Sequence, residues 1–336
     1  MQLRITYLAL TLAINIGTTM AQDSLRVAFY NVENLFDTVD DPERKDEEFL
    51  PTGRKQWTDE RYQAKLARLT EVFQLLDAPA ILGVCEVENA RVLRDWVNYP
   101  GFSERTYDFV HCESPDVRGI DAALLYDAER FSLVSSSRVR VDFPLWLEPE
   151  GYTSRDIIVA ELADTDGQRL HLFVNHWPSR RGGTEASQHR RWRVAAALRQ
   201  AVAEVQLADS SAQIILLGDF NDEPHNTSVS QALGSLPYRA EQSMLPGLLY
   251  NLFAHQVDTS SQDIGTYNYK GDWNALDQFI VTGFTGTAHW QIGQATIFRD
   301  ERLLYKGKRP NRTYGGSNYY GGFSDHLPIV LDLYHE

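Results

Sequence analysis

The chain has 336 residues, 43% hydrophobic and 23% charged, which is enough apolar text to bury a sizeable core. Its formal net charge of −14 excludes a protein that coats nucleic acid non-specifically, because affinity for phosphates needs an excess of Lys and Arg. Local basic clusters would have to carry any such binding, and clustered acids invite cations.

The opening stretch MQLRITYLALTLAINIGTTMA reads as an export signal. Arg4 is its only charge, and Thr19 and Ala21 sit at the small-residue positions of a cleavage site. The apolar run over residues 5–16 is short for a membrane span of about 20 residues. Cleavage after Ala21 leaves residues 22–336 as a single domain with no transmembrane segment, exported to a periplasm or to the medium.

The first strand is LRVAFYNVEN. The charge run over 37–49, DTVDDPERKDEEF, reads as a solvated loop. TDERYQAKLARLTEVFQLL then sets Tyr62, Leu66, Leu69, Val72, Phe73 and Leu76 at helical spacing behind a Thr58 cap. AILGVCEV, bounded by Pro79 and Asn89, reads as a buried strand, and ARVLRDWV as a short helix. TYDFVHC, GIDAALLY, FSLVSSSRVRV, RDIIVAEL and RLHLFVNH follow as strands with turn residues between them. A helix over 186–205 carries Trp192, Leu198 and Val202 on one side. The strand QIILLGDF comes next, then a short helix near 227–233, and last the strands ALDQFIVT and LPIVLDL. Runs of strands with helices between some of them predict an α/β protein of two large mixed sheets packed on each other, helices outside. Cys85 and Cys112 match no zinc spacing, and their apolar strand-like surroundings favour free thiols over a disulfide.

Polar residues recur where apolar strands end or begin: Asn31 and Glu33, Glu86, Asn175 and His176, Asp219 and Asn221, Asp277, and Asp325 with His326. One such residue is ordinarily a turn former or a hydrogen-bonded structural group. Several buried together are costly unless they converge on a cation, and oxygen donors suit one of the magnesium class.

These residues lie in FYNVENLFD, GVCEVEN, RGIDAALLY, VNHWPS, LGDFND, ALDQFIV and GGFSDHLPIV, which appear in that order. In this the chain resembles the endonuclease/exonuclease/phosphatase superfamily, which includes pancreatic deoxyribonuclease, abasic-site endonucleases, sphingomyelinases and inositol-polyphosphate phosphatases. The wording looks most like its exported bacterial branch. The resemblance implies a four-layer α-β-β-α sandwich and a Mg²⁺ cofactor, with Mn²⁺ as a substitute. It implies metal ligation by Glu86, Asn31 and Asp325, and by Glu33 in those members that have an acid there. Asp219 would orient and deprotonate the attacking water, and Asn221 would hold water and phosphate. His326, oriented by Asp277, would lie against the phosphate. His176 would be the second histidine, as in secreted deoxyribonucleases, with Glu113 either as its partner or as a plain loop acid.

Two basic stretches bear on substrate. SRRGGTEASQHRRWR follows His176 with Arg180, Arg181, His189, Arg190, Arg191 and Arg193, read either as phosphate contacts or as partners of surface acids. Arg180, nearest His176, is the expected substrate contact. KGKRPNRTYGGSNYYGG mixes Lys and Arg with Tyr, which suits a phosphate and a flat base. The expectation is a monomeric nuclease, with no stable protein partner, that hydrolyses phosphodiester bonds in nucleic acid. The alternatives are a phosphatase or lipid phosphodiesterase on the same core, or an inactive binding protein. No long insertion with an apolar wedge marks a membrane-acting enzyme.

Overall fold

The computed structural model describes residues 24–259, 264–285 and 288–335. The expected leader, residues 1–21, lies outside them.

The first sheet contains β1 (Ser24–Leu35), β2 (Ile81–Val87), β3 (Tyr107–His111), β4 (Asp121–Asp127), β14 (Trp290–Ile297) and β19 (Ile329–His335), in the order β14-β19-β1-β2-β4-β3. The second contains β5 (Phe131–Val139), β6 (Ile157–Asp164), β7 (Arg169–His176), β8 (Gln213–Asp219), β9 (Ser235–Pro237), β10 (Leu249–Asn251) and β13 (Asp277–Thr282), in the order β5-β6-β7-β8-β13-β10-β9. Each sheet mixes parallel and antiparallel pairs: β1 runs parallel to β2 and antiparallel to β19, and β7 parallel to β8. Three two-stranded hairpins decorate them: β11 (Tyr267–Tyr269) with β12 (Asp272–Asn274), β15 (Leu304–Tyr305) with β16 (Arg309–Pro310), and β17 (Tyr314–Gly315) with β18 (Asn318–Tyr319).

Alternation along each strand builds the layers. Leu25, Val27 and Phe29 of β1 pack between the sheets with Leu172, Val174, Ile215 and Leu217 of β7 and β8. Ala28, Tyr30 and Val32 point the other way, under α1 (Asp59–Leu75) and α2 (Ala90–Val97). On the far side Phe173, Ile214, Leu216 and Ile280 pack under α3 (Thr184–Ala208). Both faces of each sheet are therefore covered, which is why the central strands read as unbroken apolar runs. The result is the four-layer α-β-β-α sandwich.

Thr58 caps α1 by accepting from Arg61 N, and Asn89 caps α2 by accepting from Arg91 N and Val92 N. Cys85 and Cys112 are both free thiols.

Three details depart from the sequence reading. The buried stripe of α3 is Arg191, Val194, Ala195, Leu198 and Val202, while Trp192 faces outward at 40% exposure. The stripe can include an arginine because Arg191 Nε lies 2.7 Å from Asp222 Oδ2, a buried charge with its counter-ion. The expected helix near 227–233 is a single wide turn, Ser228–Ala232. Strand β14, WQIGQATI, was not expected at all; it is a half-buried edge strand whose Gln and Gly residues hide the apolar alternation.

Candidate active site

The register of the second sheet sets three polar residues in one row. His176 of β7 pairs with Asp219 of β8, and Asp219 pairs with Asp277 of β13. In the first sheet Asn31 of β1 pairs with Cys85, and the ladder breaks immediately beyond. At these breaks Glu33, Asn34 and Glu86 take left-handed backbone conformations, with φ of 51°, 56° and 65°, as does Asn221 at 50°. Such bulges re-aim side chains at a sheet end, and clusters of non-glycine left-handed residues mark functional sites. Here they turn Glu86 across the strand: its Oε2 accepts from Asn34 N at 3.0 Å, and its Oε1 lies 3.5 Å from Asn31 Nδ2. The same Asn31 amide donates to Asp219 Oδ2 at 3.2 Å, so Asn31 links the two sheets.

Asp219 sits at the centre. Its Oδ1 accepts from Asn221 N at 2.8 Å. Its Oδ2 lies 3.8 Å from His176 Nε2 and 3.9 Å from His326 Nε2. Burial, with Asp277 and Glu86 adding negative charge, pushes its carboxyl up to about 7, against the opposing pull of His326. His326 Nδ1 meets Asp277 Oδ2 at 2.7 Å. Burial alone would depress this imidazole, but the Asp277 carboxylate outweighs it and holds the ring well above the usual histidine range. His176 goes the other way: burial and the nearby charges of Arg155 and Arg118 keep it well below that range, hence neutral. The two imidazoles of one buried site are thus shifted in opposite directions.

The residues fit a hard cation. Glu86 and Asp325 offer carboxylate oxygens of the kind magnesium takes, and Asn31 lies beside Glu86 with its Oδ1 accepting from Glu33 N at 3.0 Å. The half-buried Asp325 carboxylate is raised by burial, with Glu86 adding to it, and no hydrogen bond from the described residues reaches it. Asp219, Asp277 and His326 also bring ligand atoms within 4.8 Å of one another, but His326 Nδ1 is already engaged by Asp277.

Glu33, expected among the ligands, is used differently. Its carboxylate accepts from Thr313 N at 2.6 Å and Tyr314 N at 3.0 Å, which clamps the loop ahead of Ser324-Asp325-His326. The buried Lys65 holds the same loop, donating to Thr313 Oγ1 at 2.7 Å and Phe323 O at 2.6 Å. Burial and Asp325 push Glu33 up to about 7, and burial pulls Lys65 down to about 8.

Geometry also bears on Glu113, read as either a His176 partner or a loop acid, and on Arg180, the expected substrate contact. Glu113 and His176 are not joined: Glu113 is half-exposed and faces Arg44 at 3.7 Å, while His176 Nδ1 is buried without a hydrogen bond. Arg180 offers no free fork to the cleft. Its guanidinium donates to Asn221 O, Asn274 Oδ1 and Asn226 Oδ1 and lies 3.3 Å from Asp222 Oδ1. The rest of the basic stretch is also largely committed, Arg190 to Glu148 and Arg191 to Asp222. Arg180 therefore braces the Asn221 backbone.

Sequence reading overlooked several supporting residues. Lys65 falls on the apolar face of α1, one turn from Leu69, a position that could have marked it as a buried charge. Tyr267 packs its ring 4.9 Å from that of His326, and Thr266 Oγ1 accepts from Asp277 N. Ser324 Oγ donates to Asn31 O at 2.7 Å and accepts from His326 N, which ties the SDH motif to β1. Leu145 and Trp146, 68% and 79% exposed, stand on the loop between β5 and β6, at the same end as His176.

A family model described as "Endonuclease/Exonuclease/phosphatase family" matches residues 26–335. Comparison with curated proteins finds no match. Among solved structures, a humanized D. rerio TDP2 is similar with a TM-score of 0.57 and 15% identity, over 92% of this chain and 98% of that one. The human Nocturnin catalytic domain with bound sulfate has a TM-score of 0.57 and 17% identity, over 94% and 98%. A mannosyl-6-phosphatase from Bacteroides thetaiotaomicron has a TM-score of 0.56 and 18% identity, over 92% and 99%. At these identities the likeness is one of fold.

Proposed function

The chain belongs to the endonuclease/exonuclease/phosphatase family, and from that premise we propose a divalent-cation-dependent phosphoesterase whose leading substrate is a nucleic acid phosphodiester. Glu86, Asn31 and Asp325 would hold Mg²⁺, or Mn²⁺ in its place, and the ion would offset charge developing on the phosphoryl and leaving oxygens.

The chain's own residues supply the rest. Asp219, raised by burial, accepts a proton from the attacking water at its carboxylate. Asn221, fixed by Asp219 and by its bond to Trp177 O, orients that water and the phosphate. His326, charged by its pairing with Asp277, donates from Nε2 to a phosphoryl oxygen. His176 is neutral and donates a weaker hydrogen bond from the side. The observation that carries the reading is geometric: His176 and His326 flank the central Asp219 carboxylate, which Asn31 ties to Glu86 across the two sheets, and His326 is backed by Asp277.

A phosphomonoesterase is the second reading. It is favoured by the internal commitment of Arg180, Arg190 and Arg191, which leaves the basic stretch fewer contacts for a polymer backbone. One protein similar in fold, that from B. thetaiotaomicron, bears the name of a phosphatase. We further propose residues 1–21 as a cleaved export leader and 22–336 as one domain acting as a monomer outside the cytoplasm. Among the described residues no helix is long and apolar enough to cross a membrane.

The test is turnover by the mature protein with Mg²⁺ on plasmid DNA, RNA, bis-nitrophenyl phosphate, nitrophenyl phosphate and sphingomyelin. Breakdown of DNA or RNA supports the nuclease, and monoester-only turnover supports the second reading. No turnover on any of the five contradicts both.

A further inference from the structure

Strands β7 and β19 bear catalytic-site residues at one end and a different polar group at the other. β7 ends at His176 and begins beside the turn that follows Asp164; β19 follows His326 and ends at His335. The turn belongs to the second sheet and His335 to the first. At this remote end the two sheets meet through side chains. Asp166 of the turn, His289 just ahead of β14, and His335 each offer a ligand atom, all within 4.8 Å of one another. Asp164 adds a fourth donor, its Oδ2 lying 3.2 Å from His289 Nε2.

This contact is not an ordinary histidine–carboxylate hydrogen bond. His289 Nε2 is sealed from solvent and makes no hydrogen bond, despite the short separation from Asp164. A buried ring nitrogen that faces a carboxylate without forming a hydrogen bond to it is costly and leaves room for an ion between the two. The contrast is His111, which meets Asp121 at 3.0 Å in a formed hydrogen bond, so the group around Glu113 is satisfied without an ion. Asp164 is also held in place: its Oδ1 accepts from Asp166 N and Gln168 N, which leaves Oδ2 to face His289. The His335 ring stands edge-on to His289 at 4.1 Å and is backed by Trp290 at 5.9 Å.

Two imidazole nitrogens with carboxylate oxygens form the donor set of zinc-class cations, distinct from the all-oxygen set of Glu86, Asn31 and Asp325. With metal–ligand distances of about 2.0–2.2 Å, neighbouring donors in a tetrahedral site lie roughly 3.3–3.6 Å apart. The His289–Asp164 separation is close to this, and the ligand atoms of Asp166, His289 and His335 lie within 4.8 Å of one another.

We propose that Asp164, Asp166, His289 and His335 form a second, structural cation site of the zinc class that clips the two sheets together at the end remote from catalysis. The test uses the mature chain stripped with chelator and returned to saturating Mg²⁺, which occupies hard-cation sites. Zn²⁺ is then titrated by calorimetry with melting temperature followed in parallel, and Co²⁺ serves as a visible-absorption probe. The expected result is one Zn²⁺ per chain with a raised melting temperature, and a tetrahedral Co²⁺ spectrum. Asp166→Asn on the exposed turn and His335→Ala should each weaken Zn²⁺ by about tenfold or more while leaving Zn-free, Mg²⁺-dependent turnover unchanged. Asp166→Asn is nearly isosteric and keeps the test valid if a histidine variant folds poorly. Wild-type protein that binds no Zn²⁺ under these conditions, or Asp166→Asn and His335→Ala variants that bind it as tightly as wild type, would overturn the proposal.

Discussion

Asp277 and His326, 49 residues apart in the chain, meet at 2.7 Å between Oδ2 and Nδ1. Asp277 comes from the start of β13 in the second sheet, and His326 from the loop into β19 in the first. The contact therefore joins the sheets at the end that carries the candidate site, and it holds the His326 imidazole well above its ordinary range in spite of burial.

That relationship predicts the behaviour of Asp277→Asn. Without the carboxylate, burial dominates and the imidazole falls from well above its ordinary range towards or below it. The alkaline limb of the pH–kcat profile, where His326 loses its proton, then moves to lower pH. At neutral pH kcat should fall by about 10²–10³-fold, the loss seen when one preorganised donor to a developing oxyanion is removed. A pH–rate series on bis-nitrophenyl phosphate reads both effects.

Lys65 is buried against Glu33 and Asp325 and holds the loop at Thr313 and Phe323. Lys65→Ala strands buried negative charge, and the loss of stability should be about 3–5 kcal/mol by urea unfolding. Adding Glu33→Gln removes part of that charge, so the double variant should recover part of the loss.

Glu88 gives a prediction free of the catalytic groups. Burial pushes its carboxyl from 4.5 up to about 8, while its Oε2 accepts from Asp37 N at 2.7 Å. Between those two values the folded state binds a proton that the unfolded state has released, so wild-type stability falls as pH rises through the window. Glu88→Gln keeps an acceptor and cannot ionise. Its stability relative to wild type should therefore grow between about pH 5 and pH 8, as read by urea unfolding at both ends.

Glu113 and Arg180 separate the geometry from the family resemblance. Glu113→Gln should leave kcat within about twofold, because the side chain faces Arg44 and not His176. Arg180→Ala removes the brace on Asn221 O, so it should lower kcat more than it raises KM.

The site was legible in the sequence wherever an apolar run ends in an acid, amide or imidazole. Asn31, Glu86, His176, Asp219, Asp277 and His326 carry that signal, and the ends of their strands do converge. Partnerships made by loops were not legible. Glu33 belongs to the loop at Thr313, 280 residues away, and no local pattern encodes that. Glu113 stands only roughly where the resemblance would put a partner for His176, and the fold turns it toward Arg44. On α3, Leu198 and Val202 are buried as their spacing predicts, but Trp192 carries a misleading apolar signal, because the paired Arg191 occupies the buried position beside it. Edge strand β14 was missed because half-burial leaves Gln and Gly free to interrupt its alternation.

The central claim is that Asp219 takes the proton from the attacking water in a cation-dependent reaction. Its most direct test is Mg²⁺-dependent turnover of bis-nitrophenyl phosphate by Asp219→Ala, with circular dichroism to establish folding. The account predicts a folded variant whose kcat is lower by about 10³-fold, and wild-type activity that chelator abolishes and Mg²⁺ restores. A folded Asp219→Ala protein that retains full turnover would contradict it.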